Sequence, residues 1–344
     1  MAGIKIAFDF GTSTVLAAVH GRGVKIKEPS VIAYDTFDDR IIAIGRDAYR
    51  MIGKAPDSIT VVRPVREGTV YDYDAVEHML RHYIQKLCGN RIFKPEVIIS
   101  VPAGVSELEK RTVAELATKS GASKACVIEE PLAAAIGAGV DIHDHTGVLI
   151  VDIGGGTTDL AIVTGGCIAV SSSLGVAGKT FDEDICRFAR REKDTVIGDV
   201  TAESVKKQVG AAKFPDAELA VRAVGKDYLS KLPRSIEISS TDIFLCIREH
   251  LEQIIEGIRL LLESTQPELN ADILTNGIIV TGGGAMLRGI DEYIQNRLGL
   301  RTRCAEEPEL CVVRGIDRAF SDRKILSDNG YVFKSYSDIK DFEE

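Results

Sequence analysis

The feature that most limits the fold is an internal repeat. Residues 4–14 read IKIAFDFGTST and residues 148–159 read VLIVDIGGGTTD. Each is an apolar run of the kind that forms a strand buried on both faces, ending in an Asp, one spacer, then glycine and small hydroxylic residues. Asp9 and Asp152 stand 143 residues apart, as do Gly11 and Gly154. A second apolar, β-branched run follows each, Val15 to Val19 and Leu160 to Val163, so the unit reads strand, tight glycine turn, strand, twice over. A period this long in 344 residues predicts two related domains and not a solenoid. At about 150 residues per domain the length agrees.

Such turns suit a nucleotide held between the domains. Glycines let backbone N–H groups approach phosphate oxygens, Thr and Ser hydroxyls add donors, and an Asp at a strand end can hold a hydrated divalent cation. A third glycine turn, GIIVTGGGAML at 277–287, reads as a strand, a backbone-approach loop at Gly282 to Gly284, and a helix from Ala285 to Leu298 that would present its N-terminus to a ligand. Glu203 and Lys206 stand three apart on an expected helix beginning near Thr201 and therefore share a face, as a surface pair or as a grip on a ribose and base edge. The chain has no GxxxxGK[ST], no GxGxxG after a strand, no GxSxG and no HExxH, which excludes the common phosphate-loop, dinucleotide, hydrolase and zinc-protease signatures.

Composition removes other classes. A net charge of −9 argues against a general nucleic-acid binder, since neutralising phosphates needs an excess of Lys and Arg on some face. No apolar run reaches the roughly 18 residues of a membrane span, and Asp9 interrupts the first apolar stretch too early for a secretory signal, so a cytoplasmic protein is expected. Seven cysteines, an odd number without CxxC, indicate neither a disulfide framework nor a zinc site. His143 and His145 bracket Asp144 without further donors at ligand spacing, and read as a polar loop.

The remaining periodicities predict helices over 72–87, capped by Asp72 or Asp74, over 106–119 with a Ser106–Glu109 capping box, and over 241–264 with a buried apolar stripe. PEVIISV at 95–101 reads as a buried strand. Glu130 follows an apolar run and opens the small-residue segment Leu132 to Gly139, where its carboxylate would either favour the helix dipole or orient water toward a phosphate. Residues 20–71 and 182–240 are less periodic, differ between the halves and read as inserted lobes; the polar tail from Ser321 ends in Asp341-Phe342-Glu343-Glu344.

DxGT, IEEPLAAAIGAG, VDIGGGTTD and TGGGAML, in this order and spacing, resemble the actin, sugar-kinase and heat-shock-chaperone ATPase superfamily. Within it, EPSVIA (28–33), VRPVREGTV (62–70), SSSLGVAGKTFDEDI (171–185), IGDVTAESVK (197–206) and LPRSIEI (232–238) are similar to the MreB family of bacterial actin homologues that determine rod shape. The resemblance runs from about Ile6 to Phe320. It implies an α/β, actin-like fold of two ribonuclease-H-like domains, each with an inserted smaller lobe, closing on ATP and Mg²⁺: domain I at 1–145 plus 312–344 (small lobe about 30–71) and domain II at 146–311 (small lobe about 182–240). It implies phosphate loops at Thr12, Ser13 and Thr14 and at Gly155, Gly156 and Thr157, adenosine contacts from Glu203, Ser204, Val205 and Lys206, and Gly283, Gly284, Ala285 and Met286 against the adenine and α-phosphate side. Asp9 and Asp152 would hold Mg²⁺ through its waters, and Glu130, with Thr157, would serve catalysis by positioning the attacking water.

The same resemblance implies weak ATP hydrolysis that times polymer state, a head-to-tail polymer paired into membrane-bound double filaments, and membrane proteins of the cell-wall elongation machinery as partners, with no nucleic acid. The first loop departs from the family, reading Thr-Ser-Thr where members usually have Thr-Ala-Asn. Only three residues precede the first strand, leaving no N-terminal amphipathic helix, so membrane contact is expected at the loop Cys88 to Lys94. There Ile92 and Phe93 sit between Arg91 and Lys94, to insert beside anionic headgroups or else to pack inside. The competing reading is a monomeric chaperone-type or assembly ATPase, although a chaperone's substrate domain would not fit in this length; a sugar or acetate kinase would need an acceptor base that nothing singled out supplies.

Overall fold

A computed structural model of the chain describes residues 3–89, 93–322, 327, 330–335 and 338. Two five-stranded sheets form its frame. Strands β1 (Lys5–Phe10), β2 (Thr14–Val19), β3 (Gly23–Pro29), β4 (Glu96–Val101) and β5 (Lys124–Glu129) lie in the order β3-β2-β1-β4-β5. Strands β6 (Val148–Ile153), β7 (Thr158–Thr164), β8 (Cys167–Leu174), β9 (Ile278–Thr281) and β10 (Thr302–Cys304) repeat it as β8-β7-β6-β9-β10. In both sheets the first three strands pair antiparallel through short turns and the last two run parallel to the first. Parallel neighbours need crossovers, and these are the long, helix-bearing connections that separate the halves of each sheet.

The helices sort into layers. On the outer face of the first sheet lie α1 (Tyr73–Cys88) and α2 (Glu107–Lys119); Asp72 caps α1 by accepting from the Ala75 N–H at 3.0 Å, and Ser106 and Glu109 close the expected capping box on α2. Between the sheets lie α3 (Glu130–Gly137) and, near the end of the chain, a second helix, Cys311–Ala319, in a core that also takes Ala7, Leu16, Ile128, Ile150 and Ile279. Against the outer face of the second sheet pack α4 (Gly178–Glu192), α5 (Asp199–Val209), α6 (Ser240–Glu263) and α7 (Ile290–Leu298); Cys311–Ala319 is α8. The α6 stripe buries Ile243, Ile247, Leu251, Ile254, Ile255, Ile258 and Leu261. At about 1.5–3 kcal/mol per fully buried side chain this burial outweighs the roughly 1 kcal/mol of its Ser239 cap, so the stripe is core and not a partner groove.

Where α3 crosses α8 no side chain separates them. A Cβ on Gly137 would overlap the Cys311 carbonyl, and one on Gly315 would overlap the Ala133 carbonyl. The small-residue run after Glu130 therefore permits backbone-to-backbone packing at the centre of the molecule.

Smaller sheets sit on each half. Strands 32–35, 41–44 and 59–62 form one, followed by the hairpin 65–70; strands 195–196, 220–227 and 233–239 form the other. The helix expected to run from Ala285 to Leu298 is shorter than the sequence indicated. Residues Gly283–Met286 make one 3₁₀ turn, Leu287 is extended, and α7 begins only at Ile290 after Gly289 takes φ +75°. A Cβ on Gly289 would lie 2.8 Å from Lys213 Cγ, so both backbone conformation and neighbour demand glycine there, and the helix cannot pass through it. In the tail, Lys334 pairs antiparallel with Ala125 of β5 through hydrogen bonds of 2.9 and 2.8 Å, and Phe333 packs on Phe320. All seven cysteines are free thiols.

Candidate functional site

The two repeated turns have one backbone design. Gly11 N–H donates to Thr14 O at 3.1 Å and Gly154 N–H to Thr157 O at 2.9 Å. The turns meet across the gap between the halves: a Cβ on Gly156 would lie 2.6 Å from Thr12 Oγ1, and one on Gly155 would lie 2.7 Å from Ser13 Cβ. Only glycine allows this approach, which explains Gly155 and Gly156 of the second turn. The hairpin 65–70 closes the same place, with Gly68 N–H donating to Thr12 Oγ1 at 3.1 Å. Thr14, the last residue of the first loop, opens β2 and is half-buried.

Behind the turns four carboxyls gather. Asp9 and Asp152 end the central strands β1 and β6; Ser100 Oγ donates to Asp9 Oδ1 at 3.4 Å, and Thr281 Oγ1 donates to Asp152 Oδ1 at 2.7 Å. Burial, then the charge of Asp152, pushes Asp9 up to about 7; burial, reinforced by Asp159, pushes Asp152 to about 7 as well. Glu130 opens α3 beside an apolar cavity lined by Phe10, Ile99, Val113 and Leu116. Burial first, then Asp159, Asp9 and Asp152, holds it well above the usual carboxylate range. Carboxyls this close and dry resist ionising together unless a cation joins them.

The fourth, Asp159, escaped the sequence reading. It is 1% exposed, accepts from Thr157 Oγ1 at 3.0 Å, and leaves Oδ1 without a partner. Burial raises it despite hydrogen bonds from Ser173, Thr157 and Ala103. The signal was present: Asp159 lies opposite Asp152 on β7, where the first half has Leu16 opposite Asp9. An Asp inside a fully buried strand breaks the repeat without a packing reason.

The third turn reaches the same region, since a Cβ on Gly282 would lie 2.8 Å from Asp152 Oδ1. Of its residues, Gly284 and Ala285 are buried, whereas Gly283 and Met286 are exposed. Glu203 and Lys206 do not pair with each other. Glu203 accepts from Tyr49 of the opposite lobe at 2.7 Å and from Lys207 at 2.5 Å; Lys206 donates to the Gly178 carbonyl at 2.5 Å and meets Asp182 at 2.7 Å. On the same helix Val205 is buried and Ser204 exposed. Among the described residues no three His, Cys, Asp or Glu side chains converge as a direct metal ligand set. The proposed membrane residues lie elsewhere: Phe93 is 65% exposed and not packed inside, and Ile92 lies outside the described residues. Among the described residues no helix is long and apolar enough to cross a membrane.

The crystal structure of MreB5 of Spiroplasma citri bound to AMPPNP superposes with a TM-score of 0.90 at 39% identity, over 96% of this chain and 99% of that one. Duplicated sheets facing across paired glycine turns thus define an actin-like protein. Residues 3–328 match the family described as MreB/Mbl protein, and the chain belongs to that family of bacterial actin homologues. The cell shape-determining protein Mbl of Bacillus subtilis is 41% identical over 90% of this chain and 93% of its own. The cell shape-determining protein MreB of Escherichia coli strain K12 is 36% identical over 91% and 92%.

Proposed function

We propose that this chain binds ATP with Mg²⁺, hydrolyses it weakly, and polymerises head to tail into paired filaments on the cytoplasmic membrane surface, where it organises cell-wall synthesis to set rod shape. The observation that carries the reading is the meeting of two matched glycine turns in front of four clustered carboxyls, of which Asp152 and Asp159 are buried and Asp9 and Glu130 half-buried. The Spiroplasma citri relative was solved with AMPPNP and also with ADP, and relatives over nine-tenths of the chain are named for cell shape. Domains at 1–145 plus 312–344 and at 146–311 fit this reading, since α8 packs on α3, β1 and β2.

The donor chemistry fits the absent groups. The N–H groups and hydroxyls of Thr12, Ser13, Thr14, Gly155, Gly156 and Thr157 suit phosphate oxygens. Asp9 and Asp152 supply the negative charge a cation would relieve, and would hold a Mg²⁺ through the water it keeps. When bound, that cation would neutralise charge on the phosphates. Glu130, whose carboxyl is held well above the usual range by burial and then by Asp159, Asp9 and Asp152, would ionise more readily once a cation relieves the cluster and would then accept a hydrogen bond from the attacking water; Thr157 and Asp159 hold each other beside it. Glu203 to Lys206 and Gly283 to Met286 flank the place for the nucleoside. Phe93 beside Lys94, with Ile92, would make the membrane contact.

Co-sedimentation with anionic vesicles in ATP and Mg²⁺ tests the whole reading. Filaments on the lipid are expected, and replacing Ile92 and Phe93 by Ser should release them from the vesicles while nucleotide binding persists. A chain that binds ATP yet stays monomeric at every concentration would instead establish the chaperone-type alternative.

A further inference from the structure

Three cations at the mouth of the cleft have no assigned task. Arg63 and Arg66 come from the small lobe of the first half, and Lys179 is the second residue of α4 in the other half. Their backbones rest on the same two turns. Lys179 N–H donates to Gly155 O at 2.9 Å and Gly178 N–H to Gly154 O at 3.1 Å. Two residues after Arg66, Gly68 donates to Thr12 Oγ1 at 3.1 Å, and a Cβ on it would lie 3.2 Å from Thr157 Cγ2.

None of the three forms an ion pair among the described residues. Arg63 lies over the Tyr49 ring, 5.8 Å from its centroid, and Arg66 over Tyr71 at 4.0 Å. The nearby carboxylate of Asp182 is already engaged by Lys206 at 2.7 Å, while Glu183 and Asp199 act on Lys179 from a distance without pairing with it. Lys179 is half-buried at a helix N-terminus, where the dipole opposes a cation. Burial, then Arg63 and Arg66, pushes it down to about 8, so the three charges act on one another from opposite lobes. Like charges gathered in a partly dry gap, only partly offset by Glu183 and Asp199, are complementary to a polyanion.

We propose that Lys179, Arg63 and Arg66 form an inter-lobe clamp for a terminal phosphate group next to the paired glycine turns, so that a bound triphosphate draws the two small lobes together and a diphosphate leaves them repelling. The proposal rests on the nucleotide-binding reading above. The phosphate is the third one of the nucleotide or a free phosphate retained beside a diphosphate, and the ligand series separates the two.

The test is calorimetry on the full chain with Mg²⁺ and ADP, AMPPNP, or ADP with inorganic phosphate. Lys179→Gln should weaken AMPPNP roughly tenfold, the scale of one charge-assisted contact, while ADP changes less than about threefold; Lys179→Arg should restore the preference. Arg66→Gln should act in the same direction. Persistent ADP binding certifies that each variant is folded. An unchanged AMPPNP-to-ADP ratio in Lys179→Gln, or an equal loss of both, overturns the clamp and leaves the nucleotide reading standing. Wild-type protein that binds neither nucleotide overturns both. If added phosphate tightens ADP only when Lys179 is present, the clamp is upheld with free phosphate as its occupant.

Discussion

In the first half Gly11 closes onto Thr14, and the strand that follows sets Leu16 opposite Asp9; in the second half Gly154 closes onto Thr157, and the corresponding place opposite Asp152 holds Asp159. The backbone cradle is duplicated and the acid is not. Leu16 belongs to the core between the sheets, whereas Asp159 turns an otherwise apolar strand toward Glu130. Asp152 is also held more firmly than Asp9, by a 2.7 Å bond from Thr281 against 3.4 Å from Ser100. A duplicated fold has thus kept matched glycine turns on both sides while adding a buried acid opposite the strand-end Asp on one side alone.

Making the halves alike is the hardest test of this contrast. Leu16→Asp would place an unpaired carboxylate in the central core and should cost about 3–5 kcal/mol of stability, read by denaturant unfolding. A loss under 1 kcal/mol would mean the first half tolerates an acid as the second does. Next in size, Glu130→Gln should slow phosphate release by roughly 10²–10³ with AMPPNP affinity kept, the range expected for a lost general base; Asp159→Leu should follow it in the same assay. Hydrolysis unaffected by both would remove the acid side from the contrast.

Steric tests come third. Gly155→Val must displace Ser13 and should lower AMPPNP affinity by up to about 100-fold, as about 1–3 kcal/mol of overpacking implies. Gly11→Ala, whose Cβ would meet Thr14 O at 3.1 Å, should lose less than tenfold. Equal losses would show that the turns are not differently crowded.

The smallest effect is on pH. Asp9 and Asp152 bind protons more tightly folded, at about 7, than unfolded, near 3.8, so the ligand-free protein gains stability as pH falls through 7 and loses it above. Its melting temperature should be a few degrees higher at about pH 6 than at about pH 7.5, and Asp152→Asn should flatten that slope. An equal or lower melting temperature at pH 6 would contradict the raised carboxyls.

The strand-turn-strand units were legible because buried apolar runs ending in glycine leave the backbone few alternatives, and the helices over α1, α2 and α6 because caps and stripes agreed along each. Asp159 was hidden because a strand's period does not say which inward position faces a cleft and which a core. The start of α7 was misread since nothing in the segment 285–298 announces that Lys213, seventy-odd residues earlier, occupies the place a side chain at 289 would need. Glu203 and Lys206 were correctly put on one face, yet their partners come from elements far away in sequence.

The glycine crossing of α3 and α8 has a mechanical reading. With the carbonyls of Ala133 and Cys311 lying where Cβ atoms on Gly315 and Gly137 would sit, no compressible side chain separates the two helices, and the chain after residue 311 is locked directly onto the helix that Glu130 opens. Glu130 lies seven residues from Gly137 on the same helix, about 10 Å along its axis at 1.5 Å per residue. A displacement of α8 therefore carries α3 with it, and a shift of the Glu130 carboxyl by about 1 Å is a misplacement worth on the order of 10²-fold in rate. Any neighbour that presses on α8 would be felt at the acid, with no soft side chain in between to absorb the push.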